Sequence, residues 1–478
     1  MKSKESIMLF GVVNGPSVQM AEEEIFSHLE WIDAVEFRLD LFMDLDLKQL
    51  KSLLKKLPIP ALFTLRRQNQ GGGFTQPEKI RLQFIEELCQ LQPDFFDLEY
   101  DISTSFRKKI FLDNPKIRFI SSYHNFEKFP KLESVLFSLF TPYAHFYKIA
   151  IHCSSCIEAL QLLLLSKKHT NLATIGLGDR AQFTRLIAPI LGMPLSYVAL
   201  KLQTAPGQLR LKDLQLYRFS TLNSTTAIYA LLGDPINTSL SPIAHNAVFA
   251  TQKKNALYCK IPCDKNELPE CLNLIQQLPF KGLSITMPLK EEIASITPSS
   301  QAAINTLVID SKVTSFNTDG IGAIQALEKK TTLFKKKIVL FGAGGVAQAI
   351  AQEAIGKGAF ITFINRTREK AIQLAKIYRC RGGGIELFPL HYDIIINCTP
   401  NPDCIQSNWI SANSIAMDTV YQPHWTEFLK KAALKNCKLI FGKELFVNQA
   451  VQQQKLWGSS SSFEELEQVI IQAIHKLF

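Results

Sequence analysis

Lys148 lies inside Phe146-Tyr147-Lys148-Ile149-Ala150, an apolar run that would strip water from an ammonium. Desolvation lowers a lysine pKa from its reference of ~10.4 and leaves the amine more nucleophilic. His124 closes an earlier apolar run, and Glu36, Arg38, Arg66, Glu99, Arg185, Thr204 and Gln208 fall at or just beyond the ends of others. A buried lysine facing a histidine and several arginines suits Schiff-base chemistry on an anionic keto substrate. Singly, these residues have plainer readings. Glu36 and Arg38 can form an ion pair with Asp40, and a lone histidine is more often a satisfied or exposed side chain.

A second chemistry is written further on. The apolar run 337–341 enters Gly342-Ala343-Gly344-Gly345-Val346-Ala347, and the run 359–364 ends in Asn365-Arg366-Thr367. Glycines there let backbone N–H groups and a helix N-terminus approach a pyrophosphate. NAD binders usually end the second strand with an acid on the ribose 2′-hydroxyl, whereas Arg366 suits a 2′-phosphate. Each charge-assisted hydrogen bond to that phosphate contributes about 1.5–3 kcal/mol, so Arg366 with Lys370 favours NADP(H). A glycine turn in an ordinary α/β domain is the plainer alternative. Upstream, Ser239 and Ser241 are two hydroxyls that can point at one carboxylate, or simply form a helix cap with its neighbour. Lys290, just past a strand, and Asp319, in Asn317-Thr318-Asp319-Gly320, suit proton transfer during carbonyl reduction, unless they are a surface ion pair.

Up to about residue 219, short apolar runs at 7–13, 34–39, 60–65, 95–99, 117–123, 145–150, 171–176 and 195–199 alternate with amphipathic stretches at 45–56, 77–91, 132–140, 154–168 and 181–191. Roughly eight strand-then-helix units over about 220 residues have the rhythm of a (β/α)8 TIM barrel, whose chemistry sits where strands end. An open doubly wound sheet gives a similar alternation. The polar stretch 220–226 reads as a short linker. Beyond it the sequence predicts an α/β substrate domain and a Rossmann-like domain.

At 478 residues the chain exceeds one core, and 46% apolar with 20% charged residues describes a globular protein. The formal charge of +10 comes without a basic block or aromatic-basic stripe, which favours small anionic substrates over nucleic acid. Ten cysteines are scattered; Cys153-x-x-Cys156 and Cys259-x-x-x-Cys263 lack the second half of a zinc site. They read as reduced, mostly buried thiols, and no metal is expected. The run 7–13 reads as a strand and not as a signal peptide, and no segment reaches the ~20 apolar residues of a membrane span. These features predict a cytoplasmic enzyme without a membrane partner. The sequence leaves a homo-oligomer open.

Glu36-x-Arg38-x-Asp40, Thr64-x-Arg66, Ser122-Tyr123-His124-Asn125-Phe126, Lys148-Ile149-Ala150 and Ala205-Pro206-Gly207-Gln208 resemble the type I 3-dehydroquinate dehydratases over residues 5–215, in family order. That resemblance implies an imine at Lys148, proton removal by His124, and substrate held by Glu36, Arg38, Arg66, Arg185, Thr204 and Gln208. The family usually places Glu near the histidine where this chain has Gln70, and often Asp where it has Asn125. Ser239/Ser241, Thr286, Lys290, Asn305, Asn317 with Asp319, the glycine loop, Asn365-Arg366-Thr367, Tyr421 and Gln449 resemble the shikimate dehydrogenases. This second resemblance implies that Lys290 and Asp319 manage a proton, and that Ser239, Ser241, Thr286, Asn305, Tyr421 and Gln449 bind substrate. It also implies NADP(H) held by Gly342 through Ala347, Asn365, Arg366, Thr367, Lys370, Thr399 and Gly442. Ser284 departs from the family's usual Asn, and Leu445-Phe446 from its Met-Leu pair. The expected division is a dehydratase barrel at 1–219, a linker at 220–226, a substrate domain at 227–325 completed by 445–478, and a nucleotide domain at 332–444. The reading is a bifunctional enzyme turning 3-dehydroquinate into 3-dehydroshikimate and then shikimate. The alternatives are a monofunctional shikimate or quinate/shikimate dehydrogenase carrying an inactive barrel, and an NADPH-responsive regulator.

Overall fold

The structure, a computed structural model, describes residues 7–297, 301–389 and 391–475. It divides into two compact units, one of residues 1–227, 255–263 and 269–279, the other of 228–254, 264–268 and 280–478.

In the first unit, strands β1 (Met8–Val13), β2 (Ala34–Arg38), β3 (Ala61–Thr64), β4 (Phe95–Glu99), β5 (Arg118–Asn125), β6 (Phe146–His152), β7 (Leu172–Leu177) and β8 (Leu195–Ala199) alternate with helices α1 (Val18–Phe26), α2 (Leu47–Lys56), α3 (Glu78–Cys89), α4 (Thr104–Asp113), α5 (Leu132–Leu139), α6 (Cys156–Lys167) and α7 (Phe183–Ile187). Each strand pairs in parallel with the next from β1 to β7, and β8 returns to β1. That is the order of an eight-stranded (β/α) barrel. Among the described residues β7 and β8 share no ladder. Their following loops meet instead: Gly178 N–H donates to Pro206 O at 3.3 Å, and a side chain on Gly207 (φ +71°) would strike Gly178 O. A short β9 (Leu209–Arg210) and α8 (Leu211–Leu216) follow. Helix α7 is shorter than the predicted 181–191 because Pro189 cannot donate to residue 185 and its ring crowds that turn.

Strand alternation explains the barrel's inner layers, since residues two apart share a face. Phe10, Leu62, Phe95, Ile120, Leu195 and Tyr197 belong to one buried cluster. The Phe10 ring meets Phe95 edge-on at 5.5 Å and stacks on Tyr197 at 5.4 Å. Two residues beyond Phe95, Ile120 and Phe146, which packs against the cluster, come Asp97, Ser122 and Lys148, so a polar layer rests on an aromatic floor. The polar stretch after the barrel is ordered by its own side chains. Asn223 and Thr225 bond each other at 2.7 Å, and Thr226 bonds Asn255 at 2.6 Å.

Strand β10 (Ala227–Gly233) leads into α9 (Ser241–Thr251). Strand β11 (Ala256–Pro262) and most of α10 (Leu268–Ile275) group with the first unit. The second unit continues through β12 (Phe280–Ile285), α11 (Lys290–Ile296), β13 (Thr306–Ile309), β14 (Val313–Phe316) and α12 (Thr318–Glu328). Strand β10 pairs in parallel with β12, which runs antiparallel to β13, as β13 does to β14.

A six-stranded parallel sheet follows: β15 (Lys337–Phe341), α13 (Gly345–Gly356), β16 (Phe360–Ile364), α14 (Arg368–Tyr378), β17 (Arg381–Gly383), β18 (Ile394–Asn397), β19 (Ile415–Asp418), α15 (Glu427–Ala433) and β20 (Lys438–Ile440). Its order, β17-β16-β15-β18-β19-β20, reverses at β15, the switch point at which open α/β sheets bind ligands. Helices α16 (Gly442–Leu456) and α17 (Phe463–His475) close the unit, sharing a buried cluster with α9 through Val248, Val451 and Ile470.

Two glycines set how closely α12 can be approached. A Cβ on Gly320 would lie 2.4 Å from Ala349 O of α13, and one on Gly322 would lie 2.8 Å from Gln449 N of α16. Both obstacles are backbone, which cannot rotate away. Gly320→Ala should therefore lower the stability of this unit by about 1–3 kcal/mol, the cost of overpacking, read as a shift in its denaturation midpoint. An unchanged midpoint would show that the helices can separate without penalty.

Candidate active sites

In the barrel, the sequence-predicted residues converge on Lys148. It is buried on β6, opposite Ser122 of β5, and its Nζ donates to Asp97 Oδ2. Asp97 also accepts from Arg66 Nη2 at 3.1 Å and from Ser122 Oγ at 2.5 Å. One carboxylate thus lies between two buried cations. Burial would raise Asp97, but Lys148 and Arg66 hold it well below the usual carboxylate range. Burial lowers Lys148; Asp97 opposes that and Arg66 reinforces it, leaving the amine below its ordinary value. The Nζ also stands 4.7 Å from the centre of the Tyr197 ring.

His124, buried at the end of β5, is lowered well below its ordinary value, first by burial and then by Arg66 and Lys148. It is therefore a neutral imidazole, and its Nδ1 has no hydrogen-bond partner among the described residues. Arg185 on α7 is buried, with Nε and Nη2 likewise lacking partners, and burial alone brings it down to about 10. An unpaired, buried guanidinium fork is a receptor for a carboxylate.

The other barrel residues divide. Glu36 accepts from Thr64 Oγ1 at 2.7 Å. Arg38 is bound to Asp40 at 2.8 and 3.0 Å and to Gly71 O at 3.3 Å, the ion pair that sequence allowed, while Glu36 stays outside it. Gln208 Oε1 accepts from Thr204 N–H at 2.7 Å, which shapes the loop after β8. Glu99, expected on the rim, is instead taken up by Arg81 of α3 at 2.5 Å and by the Arg67 N–H at 3.0 Å. Gln70 is buried with its Oε1 unpartnered, in a loop closed by Gly72, where any Cβ would lie 2.1 Å from Arg66 O. Asn125 accepts from the Glu127 and Lys128 N–H groups at 3.0 and 3.1 Å, a turn role open to Asp and Asn alike.

In the second unit, Lys290 Nζ, partly accessible, donates to Oδ2 of the buried Asp319 at 2.5 Å. Asn305 fixes the aspartate: its Nδ2 donates to Asp319 Oδ1 and Thr318 Oγ1, each at 2.9 Å, and its Oδ1 accepts from Thr318 N–H at 2.8 Å. Gln449 Oε1 reaches Asn305 and Thr318 at 3.5 Å. Asn317 caps α12 through the Asp319 N–H. Ser239 Oγ donates to Ser241 Oγ at 3.2 Å and also bonds Tyr421. Thr286, just past β12, sends its methyl against Gly233.

The glycine loop has the geometry its spacing predicts. Gly342 (φ +126°) turns the chain off β15, Gly344 caps α13, and a Cβ there would meet nothing within 4 Å. That open space faces the N-terminus of a 12-residue helix. Ala347 packs into the core, and Ala343 and Val346 lie against it. Thr399 borders Gly342, its methyl 3.1 Å from where a Cβ would stand. Asn365 donates to Thr367 O at 2.9 Å, and Arg366 and Lys370 are exposed beyond β16. Gly442, at the start of α16, passes so close to Val420 O that a Cβ would lie 2.3 Å away.

Several site groups escaped the sequence reading. Asp97 lies in Phe95-Phe96-Asp97-Leu98, the same signal of a charge inside an apolar strand that marks Lys148. Gln453 gave no such signal. It joins Ser284 Oγ (3.1 Å), His245 Nε2 (3.2 Å), Thr306 Oγ1 (2.9 Å) and Asn305 O (3.2 Å) in one buried network behind Asp319.

Residues 9–224 match the type I 3-dehydroquinases, residues 231–307 the shikimate dehydrogenase substrate-binding domain, and residues 325–416 the shikimate/quinate 5-dehydrogenases. The shikimate biosynthesis protein AroDE of Chlamydia pneumoniae is 33% identical over 469 residues, covering 94% of this chain and 95% of that protein. The chloroplastic bifunctional 3-dehydroquinate dehydratase/shikimate dehydrogenase of Arabidopsis thaliana is 30% identical over 492 residues, covering 94% and 81%. The shikimate dehydrogenase (NADP(+)) of Pyrococcus furiosus is 35% identical over 261 residues, covering 51% and 95%.

Burial pushes His245 down to about 3 against its hydrogen bond with Gln453, so the folded unit keeps it neutral where the unfolded chain protonates near 6.5. Stability should then fall as pH drops below about 6.5, by roughly 2 kcal/mol between pH 7 and pH 5 relative to His245→Gln. Denaturant melts at the two pH values check this; equal slopes for both proteins would contradict it.

Proposed function

The chain belongs to the family of bifunctional 3-dehydroquinate dehydratase/shikimate dehydrogenases, and on that premise we propose that it catalyses both steps, dehydration in the barrel and reduction in the second unit. We assign the dehydratase to residues 1–219, the joint to 220–226, the substrate domain to 227–325 with 445–478, and the nucleotide domain to 332–444.

The observation that carries the first assignment is Lys148, buried beside a neutral His124. The Lys148 amine adds to the ketone of 3-dehydroquinate and expels water to give an iminium. His124 takes the proton from the adjacent carbon, the electron pair moves toward the iminium nitrogen, and the neighbouring hydroxyl leaves as water with that proton. Hydrolysis returns the free amine and releases 3-dehydroshikimate. Arg185 pairs with the substrate carboxylate, with Glu36, Arg38, Arg66 and Gln208 around the hydroxyls.

For the second step, the open space at Gly344, the α13 N-terminus and exposed Arg366 and Lys370 fit the pyrophosphate and 2′-phosphate of NADP(H). When bound, that cofactor supplies the hydride. Lys290 gives a proton to the carbonyl oxygen while Asp319, fixed by Asn305, exchanges it. Ser239, Ser241 and Tyr421 hold the carboxylate, and Thr286, Asn305 and Gln449 the ring hydroxyls.

Adding 3-dehydroquinate and NADPH to the purified protein should consume NADPH without another enzyme. Lys148→Ala should abolish dehydration and borohydride trapping of substrate while leaving the reduction of 3-dehydroshikimate intact. Lys290→Ala should slow reduction at least about 100-fold, as loss of a general acid does, and leave dehydration unchanged. Loss of both activities in either folded variant would overturn the two-site assignment. Arg366→Ala should lower kcat/KM for NADPH about 10- to 100-fold while sparing NADH; an equal loss with both would remove Arg366 from the 2′-phosphate.

A further inference from the structure

Three thiols that sequence spacing does not pair meet inside the first unit. Cys156 opens α6, Cys263 directly follows β11, and Cys271 lies in α10. All three are fully buried, and their sulfur atoms lie within 4.8 Å of one another. They hydrogen-bond among themselves, and none is in a disulfide. A buried cysteine is by itself ordinary packing, since Cys behaves as a small hydrophobe. Three from separate elements meeting sulfur to sulfur make a different environment. Sulfurs bound at ~2.3 Å to one cation stand about 3.8–4.0 Å apart, so a contraction of under about 1 Å would seat an ion.

We propose that Cys156, Cys263 and Cys271 form a structural site for a thiophilic divalent d10 cation, Zn2+ in the cell. The charge favours a divalent ion. Binding displaces the three thiol protons, three thiolates and Zn2+ sum to −1, and Arg180 is close enough to Cys156 to act on its charge. The α6 N-terminus adds a favourable dipole for the Cys156 thiolate. Each thiol must give up its proton to bind the ion. Affinity should therefore rise steeply with pH. No His, Cys, Asp or Glu among the described residues joins the three, which leaves the fourth position to water or a backbone carbonyl. Cys153 and Cys259, the partners that spacing offered, lie outside the group.

The test uses the full chain without a polyhistidine tag, purified under reducing conditions, with elemental analysis and Cd2+ exchange. About one equivalent of zinc per chain, and a thiolate-to-Cd2+ charge-transfer band of about three sulfurs, are expected. Cys156→Ser and Cys271→Ala should each lose the band and at least about 10-fold in affinity, whereas Cys89→Ser, buried elsewhere, should keep both. Far-UV circular dichroism and dehydratase activity report whether each variant folds. Should the single variants fail to fold, wild type still decides: zinc well below stoichiometric with no Cd2+ band overturns the proposal. So would an equal band in a folded Cys156→Ser, or a preference for Cu+ over Zn2+.

Discussion

Everything in the barrel turns on how an ammonium is kept inside a stack of aromatic side chains. Lys148 stands over the Tyr197 ring with one carboxylate, Asp97, within reach. That carboxylate also serves Arg66 and Ser122. A private carboxylate would lock the lysine as a stable ion pair, and none at all would leave two uncompensated cations, costing about 3–5 kcal/mol. Sharing lies between these limits: the charge is tolerated, yet the lysine stays below its ordinary pKa. Burial, helped by the same cations, discharges His124, so nucleophile and base are prepared in one environment.

The second unit solves a different problem. A proton donor needs access and orientation more than desolvation, and Lys290 sits partly open at the first turn of α11 against a buried Asp319 at the first turn of α12. Orientation comes from behind. Asn305 grips Asp319, and Gln453 grips the Asn305 carbonyl through a buried network that reaches His245. Without side chains, Gly320 and Gly322 let α13 and α16 press against α12, so the aspartate is held on helices and not on a loop.

Much of this was legible in the sequence for a simple reason: the chemistry sits at strand ends and in turns, where residue type and spacing are tightly limited. His124, the glycine loop and Asn365-Arg366-Thr367 are such positions, while Lys148 stood out as a charge inside an apolar strand. What escaped depends on partners distant along the chain. Asp97 offered the same signal as Lys148, but its role appears only when β4, β5 and β6 lie side by side. Glu99 looked like a rim residue until α3 brought Arg81 to it. Cys156 lies over a hundred residues from Cys263 and Cys271, so only the fold brings the three thiols together.

Arg185 has a consequence for how the molecule behaves when idle. Its guanidinium is buried with two donors that no protein group among the described residues meets. A small carboxylate that fills the fork meets them as it binds, so part of its binding energy is also folding energy. Occupancy and resistance to unfolding are thereby linked through one side chain.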